Sequence, residues 1–338
     1  MAAGPNRSSA IATHGDSIRV QHRQFRLVGH DAVAVSYRDF TLHTDVGEGK
    51  ARAVLTAALR AAALSAFENR AHGVTVKGKR PWVLAELTWP EAEQRFRETD
   101  VAILPVGAIE QHGPHLPLDV DAFDAEWLAH EVAAACSDPK PLVLPLIPFG
   151  VSYHHEDFSG TLSVSPETQA RFVYEIGLSI ARHGVTKLVI INGHGGNAPA
   201  LNYAAQMINR DARIFTCVES GETSDVDVNQ LAETDNDVHA GEIETSTSLA
   251  LRPELVHRDR AAPSVRRFSS RYLDFTNQRA VGWNAYTQRI SPSGVMGDPT
   301  RADAEKGRKM WDVMIRNLVD FIEDLKGLTL DEIHQRRY

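Results

Sequence analysis

Apolar and polar positions along this chain follow two periods in turn, and the switch between them repeats. Short apolar runs at residues 101–104, 141–148, 187–191 and 213–218 read as buried strands. Residues 124–136, 165–184 and 198–210 read as helices between and after them, with Phe172, Ile176, Leu178 and Ile180 as the buried face of the second. Ahead of the first strand, Thr88 is placed as an N-cap, with Pro90 in the first turn of a helix running to about Glu98. Residues 302–325 close the pattern with a helical stripe of Trp311, Met314, Leu318, Phe321, Ile322 and Leu325, expected to be core. The repeated strand–loop–helix order predicts an α/β fold with a parallel sheet and helices on both faces.

The first 80 residues have a different character. Residues 1 to about 16 are small and polar, and are expected to be disordered. Residues 18–28 and 32–40 alternate as strands around a turn at Gly29 and His30, and residues 50–70 have helical spacing. This predicts a small α/β addition in which no catalytic constellation is visible. Residues 328–338 are expected to form a tail.

Composition narrows the function classes. A chain of 338 residues with 43% hydrophobic content can bury one large core or two smaller ones. A net charge of −8 argues against general nucleic-acid binding, which needs a basic face. No apolar run approaches a membrane span, and the start lacks the apolar centre of a signal peptide. With only two cysteines, Cys136 and Cys217, thiols in a reducing cytoplasm are expected rather than a disulfide framework.

Three stretches then carry chemistry. The strand at 101–104 runs into a loop holding Glu110, His112, His115, Asp119 and Asp121 between glycines and prolines. Glu110 and His112 are two apart, so in extended backbone they project to one side, where a carboxylate and an imidazole suit zinc or manganese. The strand at 187–191 ends in NGHGGN at 192–197, whose glycines permit a tight turn and leave His194 free to face the crevice at the strand ends. This loop lacks the lysine of a P-loop and the spacing of a dinucleotide site. In HAGEIETS at 239–246, His239 and Glu244 stand at the start of a helix and can both reach one crevice. Glu242 is explained by the helix dipole alone. His155 and Asp157, on the loop after the second strand, are weaker candidates bordering the site.

These motifs resemble the creatininase (creatinine amidohydrolase) family. EQHGPHLP at 110–117 with Asp121, FSGTLS at 158–163, NGHGGN at 192–197, HAGEIETS at 239–246 and GVMGDPTRADAEKG at 294–307 occur in the family's order, spanning about residues 81–327. The resemblance implies a three-layer α/β/α domain with a central, mostly parallel sheet, a homo-oligomer, often a hexamer, and hydrolysis of C–N bonds in small amides. It also implies two divalent ions (zinc, manganese or iron) held by Glu110, His112, Asp121 and His194, with Asp121 bridging. Creatinine-hydrolysing members place a metal-binding Glu two residues after the His of the third motif; here Gly196 stands there, and Glu244 is the expected replacement. They also carry a Tyr where this chain has Gly195, and a Trp where it has the polar stretch 233–236. Creatinine itself is therefore not the expected substrate. His239 is the expected proton donor, Glu244 also takes part in catalysis, and His155 and Gly195 border the substrate. A deformylase, a peptidase, or a non-catalytic metal-binding protein on the same fold are the alternatives, and pocket size around His154, His155 and Trp283 is expected to separate the enzymes.

Overall fold

The computed structural model describes three strands within residues 1–78, and residues 79–334 except 220, 222–224, 267, 269, 271 and 273–283. The chain divides into two compact units, Met1–Thr75 and Val76–Tyr338.

In the first unit, β1 (Ser9–Thr13), β2 (Asp16–His22) and β3 (Phe40–Thr44) form an antiparallel sheet in that order. The expectation of disorder to residue 16 fails at β1. Thr13 pairs with Asp16, so two residues join the strands, and hairpin pairing gives this small-residue segment partners that its composition does not reveal. The strand expected at 18–28 begins two residues earlier, as β2. The turn at Gly29 and His30 and the helix at 50–70 lie outside the described residues, as does nearly all of the strand at 32–40.

The second unit opens with α1 (Trp89–Glu98), started by a Thr88 and Glu91 capping box. Then follow β4 (Val101–Val106), α2 (Val120–Ala135), β5 (Leu142–Val143), α3 (Pro166–Ala181), β6 (Lys187–Asn192), α4 (Ala198–Ala212) and β7 (Phe215–Glu219). Two long elements close it, α5 (Glu242–Leu251) and α6 (Ala304–Lys326). The sheet is parallel throughout in the order β5-β4-β6-β7. Ala102, Leu104, Leu188 and Ile190 on one face pack with Ala170, Val173, Leu201 and Ile208 of α3 and α4. Helix α2 lies against β4 and β6, and α6 packs on α2 and α5, which gives the three-layer α/β/α arrangement.

Pro105 was expected to bound the first strand, yet β4 runs through it. The carbonyls of Ile103 and Pro105 accept from Leu144 and Ile147, so Pro105 points its missing N–H toward the β5 side, where the ladder has already ended. The expected strand at 141–148 shrinks to two residues, because Pro141, Pro145 and Pro148 cannot donate to a ladder. Phe172 and Phe321 are exposed, not core. The buried stripe of α3 is Ala170, Val173, Gly177 and Ile180, and that of α6 adds Gly307 and Met310 to the expected positions without Phe321. A cavity of about 860 Å³ between α1 and α3, lined by Trp89, Phe96, Ile147, Phe172 and Ile180, holds none of the candidate ligands.

Candidate metal centre

The site lies at the carboxyl ends of β4 and β6, where parallel sheets place ligands. Two glycines let the chain close around it. A Cβ on Gly107 would stand 2.3 Å from the Cα of Ala122, and one on Gly193 the same distance from the Asp121 carbonyl. The first turn of α2 therefore rests directly on both strand ends. That contact carries Asp121 into the crevice from a helix, not from the loop expected, since α2 begins at Val120 rather than near residue 124. Asn197 ties the surrounding loops together, accepting from Val151 N (2.9 Å) and donating to the Gly107 carbonyl (3.0 Å).

Glu110, His112, Asp121, His194, His239 and Glu244 converge here, all of them buried. Three of these histidines share one arrangement. His112 Nδ1 donates to the Glu110 carbonyl (3.2 Å), His194 Nε2 to the Val151 carbonyl (3.0 Å) and His239 Nε2 to the Gln111 carbonyl (2.7 Å). A carbonyl only accepts, so each ring spends one N–H outward and turns its second nitrogen inward, where the neutral ring has a lone pair. His112 Nε2 stands 3.0 Å from Asp121 Oδ1 and 3.8 Å from Glu244 Oε2. His194 Nδ1 stands 3.1 Å from Asp121 Oδ2. His239 Nδ1 stands 3.7 Å from Glu110 Oε1 and 3.9 Å from Glu244 Oε2. Both Glu110 carboxylate oxygens and Asp121 Oδ2 are buried without a well-directed N–H, although imidazole nitrogens lie 3.1–3.3 Å away.

Neutral imidazole nitrogens facing buried carboxylates call for a cation between them, a proton or a metal ion. A set of imidazole nitrogens and carboxylate oxygens suits zinc, manganese or iron, and the residues present fit such an ion. Four groups of three side chains have donor atoms within 4.8 Å of one another, among them Glu110, His112 and Asp121, and His112, His239 and Glu244. Protons compete for the same atoms. Burial pulls His194 down, but the Glu110 and Asp121 charges carry it up to about 9. His112 is likewise raised, because Asp121 and Glu244 outweigh its burial. Burial pushes the Glu110 and Glu244 carboxyls up to about 7, and holds His239 well below its ordinary value, hence neutral.

Other sequence candidates go elsewhere. His115 Nε2 pairs with Thr245 Oγ1 at 2.9 Å, Asp119 holds Arg252 at 2.9 Å, and Asp157 is exposed. Glu242 is taken up by Lys306, Thr234 and the Glu233 amide. His155 is buried beside Glu110, its Nε2 3.3 Å from Oε1, and Gly195 borders open space. Trp283 lies outside the described residues. Sequence reading named one neighbour, His154, only as part of the pocket wall, and passed over another, Gln111. His154 stacks on His194 with ring centroids 5.5 Å apart, and Gln111 hydrogen-bonds among the histidines. His154 stood in the sequence as a pair with His155. Gln111 sends no signal of its own, being neither titratable nor a common ligand.

Known proteins share this geometry's sequence. Residues 85–322 match the sequence model of the family described as creatininase, creatinine amidohydrolase. A mycofactocin precursor peptide peptidase of Mycobacterium ulcerans (strain Agy99) is 33% identical over 253 residues, 72% of this chain and 93% of that relative. Creatinine amidohydrolase of Pseudomonas putida is 29% identical over 261 residues, 71% of this chain and 96% of that one. A solved structure described as "Creatininase Mn" superimposes with a TM-score of 0.62 at 28% identity, covering 74% of this chain and 100% of that one. The family match spans most of the second unit, and it includes every side chain of the buried cluster. The chain therefore belongs to the creatininase family and is a hydrolase acting on carbon–nitrogen bonds.

Proposed function

We propose that this chain is a binuclear amidohydrolase in which Glu110, His112, Asp121, His194 and Glu244 hold two divalent ions, zinc or manganese, with iron as a third option. The observation that carries the reading is that the inward nitrogens of His194 and His239 face Asp121 Oδ2 and Glu110 Oε1, carboxylate oxygens buried without a hydrogen-bond partner. Asp121 is the natural bridge, since its two oxygens face different histidines, His112 and His194. When bound, the ions lower the pKa of a water to near neutrality and polarise the substrate carbonyl. His239 is positioned to move the proton. Its neutral ring has Nδ1 free beside Glu110 and Glu244, so it can take a proton from the attacking water and return it to the leaving nitrogen.

Gly196 cannot carry the glutamate of the creatinine enzymes here. A Cβ at that position would stand 2.3 Å from the Val151 carbonyl and 2.5 Å from His194 Nε2. Glu244, whose Oε2 accepts from Ala240 N and faces His112, is available to supply the missing carboxylate. Nothing lies within 4 Å of a Cβ built on Gly195, which leaves room for a substrate wider than creatinine. That space, with the 33% identity to a peptidase, favours a peptide or formamide bond as a second reading within the same chemistry. Homo-oligomeric assembly and a cytoplasmic setting belong to the proposal as well. The two cysteines, Cys136 and Cys217, are unpaired thiols, as a reducing compartment requires.

The test is metal content per chain after purification without chelator, joined to a hydrolysis screen over cyclic amides, formamides and short peptides. Two ions and turnover of one class support the proposal. One ion in a closed tetrahedral set points instead to a structural site. No bound ion and no turnover after adding zinc or manganese overturns it.

A further inference from the structure

We propose that Gln111 is a positioning residue that fixes the tautomers of His155 and His239, so that His155 turns a protonated Nε2 toward Glu110 and neither binds metal nor touches substrate. The proposal rests on the metal-centre reading only in taking Glu110 as a ligand.

Gln111 is 4% exposed and lies between two proposed ligands in sequence. Its side-chain orientation is set by the backbone. Gly113 N donates to Oε1 at 2.9 Å, so the other end of the amide is the nitrogen. That nitrogen stands 2.7 Å from His155 Nδ1 and 3.3 Å from the Gly294 carbonyl. An amide nitrogen only donates, so His155 Nδ1 accepts. The proton of the neutral His155 ring is therefore on Nε2, 3.3 Å from Glu110 Oε1. A nitrogen that carries a proton toward a carboxylate has no lone pair for an ion. His155 thus stands beside Glu110 with a proton rather than a lone pair facing it, which sets it among the groups around a metal ligand and not among the ligands.

The backbone of Gln111 acts on the second ring. Its carbonyl accepts from His239 Nε2 at 2.7 Å, which leaves His239 Nδ1 bare toward the carboxylates. The side-chain nitrogen also lies 3.0 Å from His239 Nε2, and since both atoms are donors that approach is packing, not a hydrogen bond. His155 and His239 stack with centroids 4.4 Å apart, so one residue holds the pair from its side chain and its main chain together. The space for the amide is built for it. Gly294 has φ of +82°, and a Cβ there would stand 1.8 Å from Gln111 Oε1.

The test is long-range ¹H–¹⁵N NMR of [¹⁵N-His]-labelled, zinc-loaded full-length chain, with His155 assigned by its loss in His155→Asn. Expected for the natural sequence is His155 protonated at Nε2 and unaffected by zinc, and His239 protonated at Nε2. In Gln111→Glu, a carboxylate replaces the donor and His155 moves its proton to Nδ1. In Gln111→Met, His155 populates both tautomers. His239 keeps its Nε2 proton in both variants, because a backbone carbonyl holds it. With full zinc content, Gln111→Met lowers kcat about 10–100-fold and leaves KM unchanged. His155 protonated at Nδ1 in the natural sequence, a zinc-shifted His155 Nε2, or an unchanged His155 tautomer in either folded variant overturns the proposal. If neither variant folds, the spectrum of the natural sequence decides alone. Resonances of His112 and His194 that ignore zinc overturn the metal reading instead, while the His155 tautomer still decides this one.

Discussion

Each histidine of the centre is specified by what lies behind it as much as by what it faces. His112, His194 and His239 give their outward N–H to the main chain of residues 110, 151 and 111, so side-chain chemistry and loop conformation are set together. His239→Ala is expected to slow turnover about 10²–10⁴-fold while metal content stays intact, and elemental analysis beside kinetics checks both halves. Protonation gives a second expectation at this scale. Burial holds the Glu110 and Glu244 carboxyls at about 7 against an ordinary 4.5. Between those values these two groups keep protons in the folded, metal-free chain that the unfolded chain has released, so their contribution to stability falls as pH rises through that window. His194, carried from 6.5 to about 9 by its carboxylate neighbours against its own burial, extends the decline in the same direction. The depressed histidines, His239 among them, oppose this below about pH 6.5, so the Tm of chelator-treated protein should drop from about pH 7 to about pH 9, and saturating zinc should reverse the slope because the ion needs those atoms bare. A Tm that rises over that range without metal would contradict the assignment. Gly196→Glu, which restores the residue of the creatinine enzymes, should lower stability by about 1–3 kcal/mol, since a backbone carbonyl blocks the new Cβ; denaturant titration measures it.

At the scale of elements, the parallel sheet and long helices were legible because their apolar positions recur at fixed intervals. Val101 to Val106 and Lys187 to Asn192 are buried at every position, as a two-sided sheet demands. What the sequence concealed are features set by partners. Phe321 fits the helical stripe of α6 yet is exposed, while Gly307 and Met310 are buried and extend the stripe toward the other end. The start of α2 was misplaced because the contact of Gly107 and Gly193 with its first turn is invisible in a linear pattern. The side chains that converge were mostly legible, since they stand in short clusters along the chain, whereas Gln111 gains meaning only from the rings it touches. The joint of α5 and α6 yields a prediction. A Cβ on Gly307 would stand 1.9 Å from the Ser246 carbonyl, so Gly307→Ala should cost about 1–3 kcal/mol and lower Tm, although alanine is the better helix former. An unchanged Tm would mean that the two helices can separate freely.

At the scale of the molecule, Met1–Thr75 and Val76–Tyr338 are compact units, and all the proposed ligands lie in the second. A chain starting at Val76 should fold cooperatively and bind metal with the same stoichiometry as the full chain. Circular dichroism melting with elemental analysis checks this, and loss of the metal would assign the first unit a part in the site. Among the described residues no helix is long and apolar enough to cross a membrane. The crowding of Gly196 by Val151, His194 and His154 also bears on how such chains can diverge. A chain with glycine here does not gain the other carboxylate freely by one substitution, because the loop at residue 151 must yield to the new Cβ. Gaining that carboxylate in this fold is therefore expected to take paired changes, one at Gly196 and one in the loop that carries Val151.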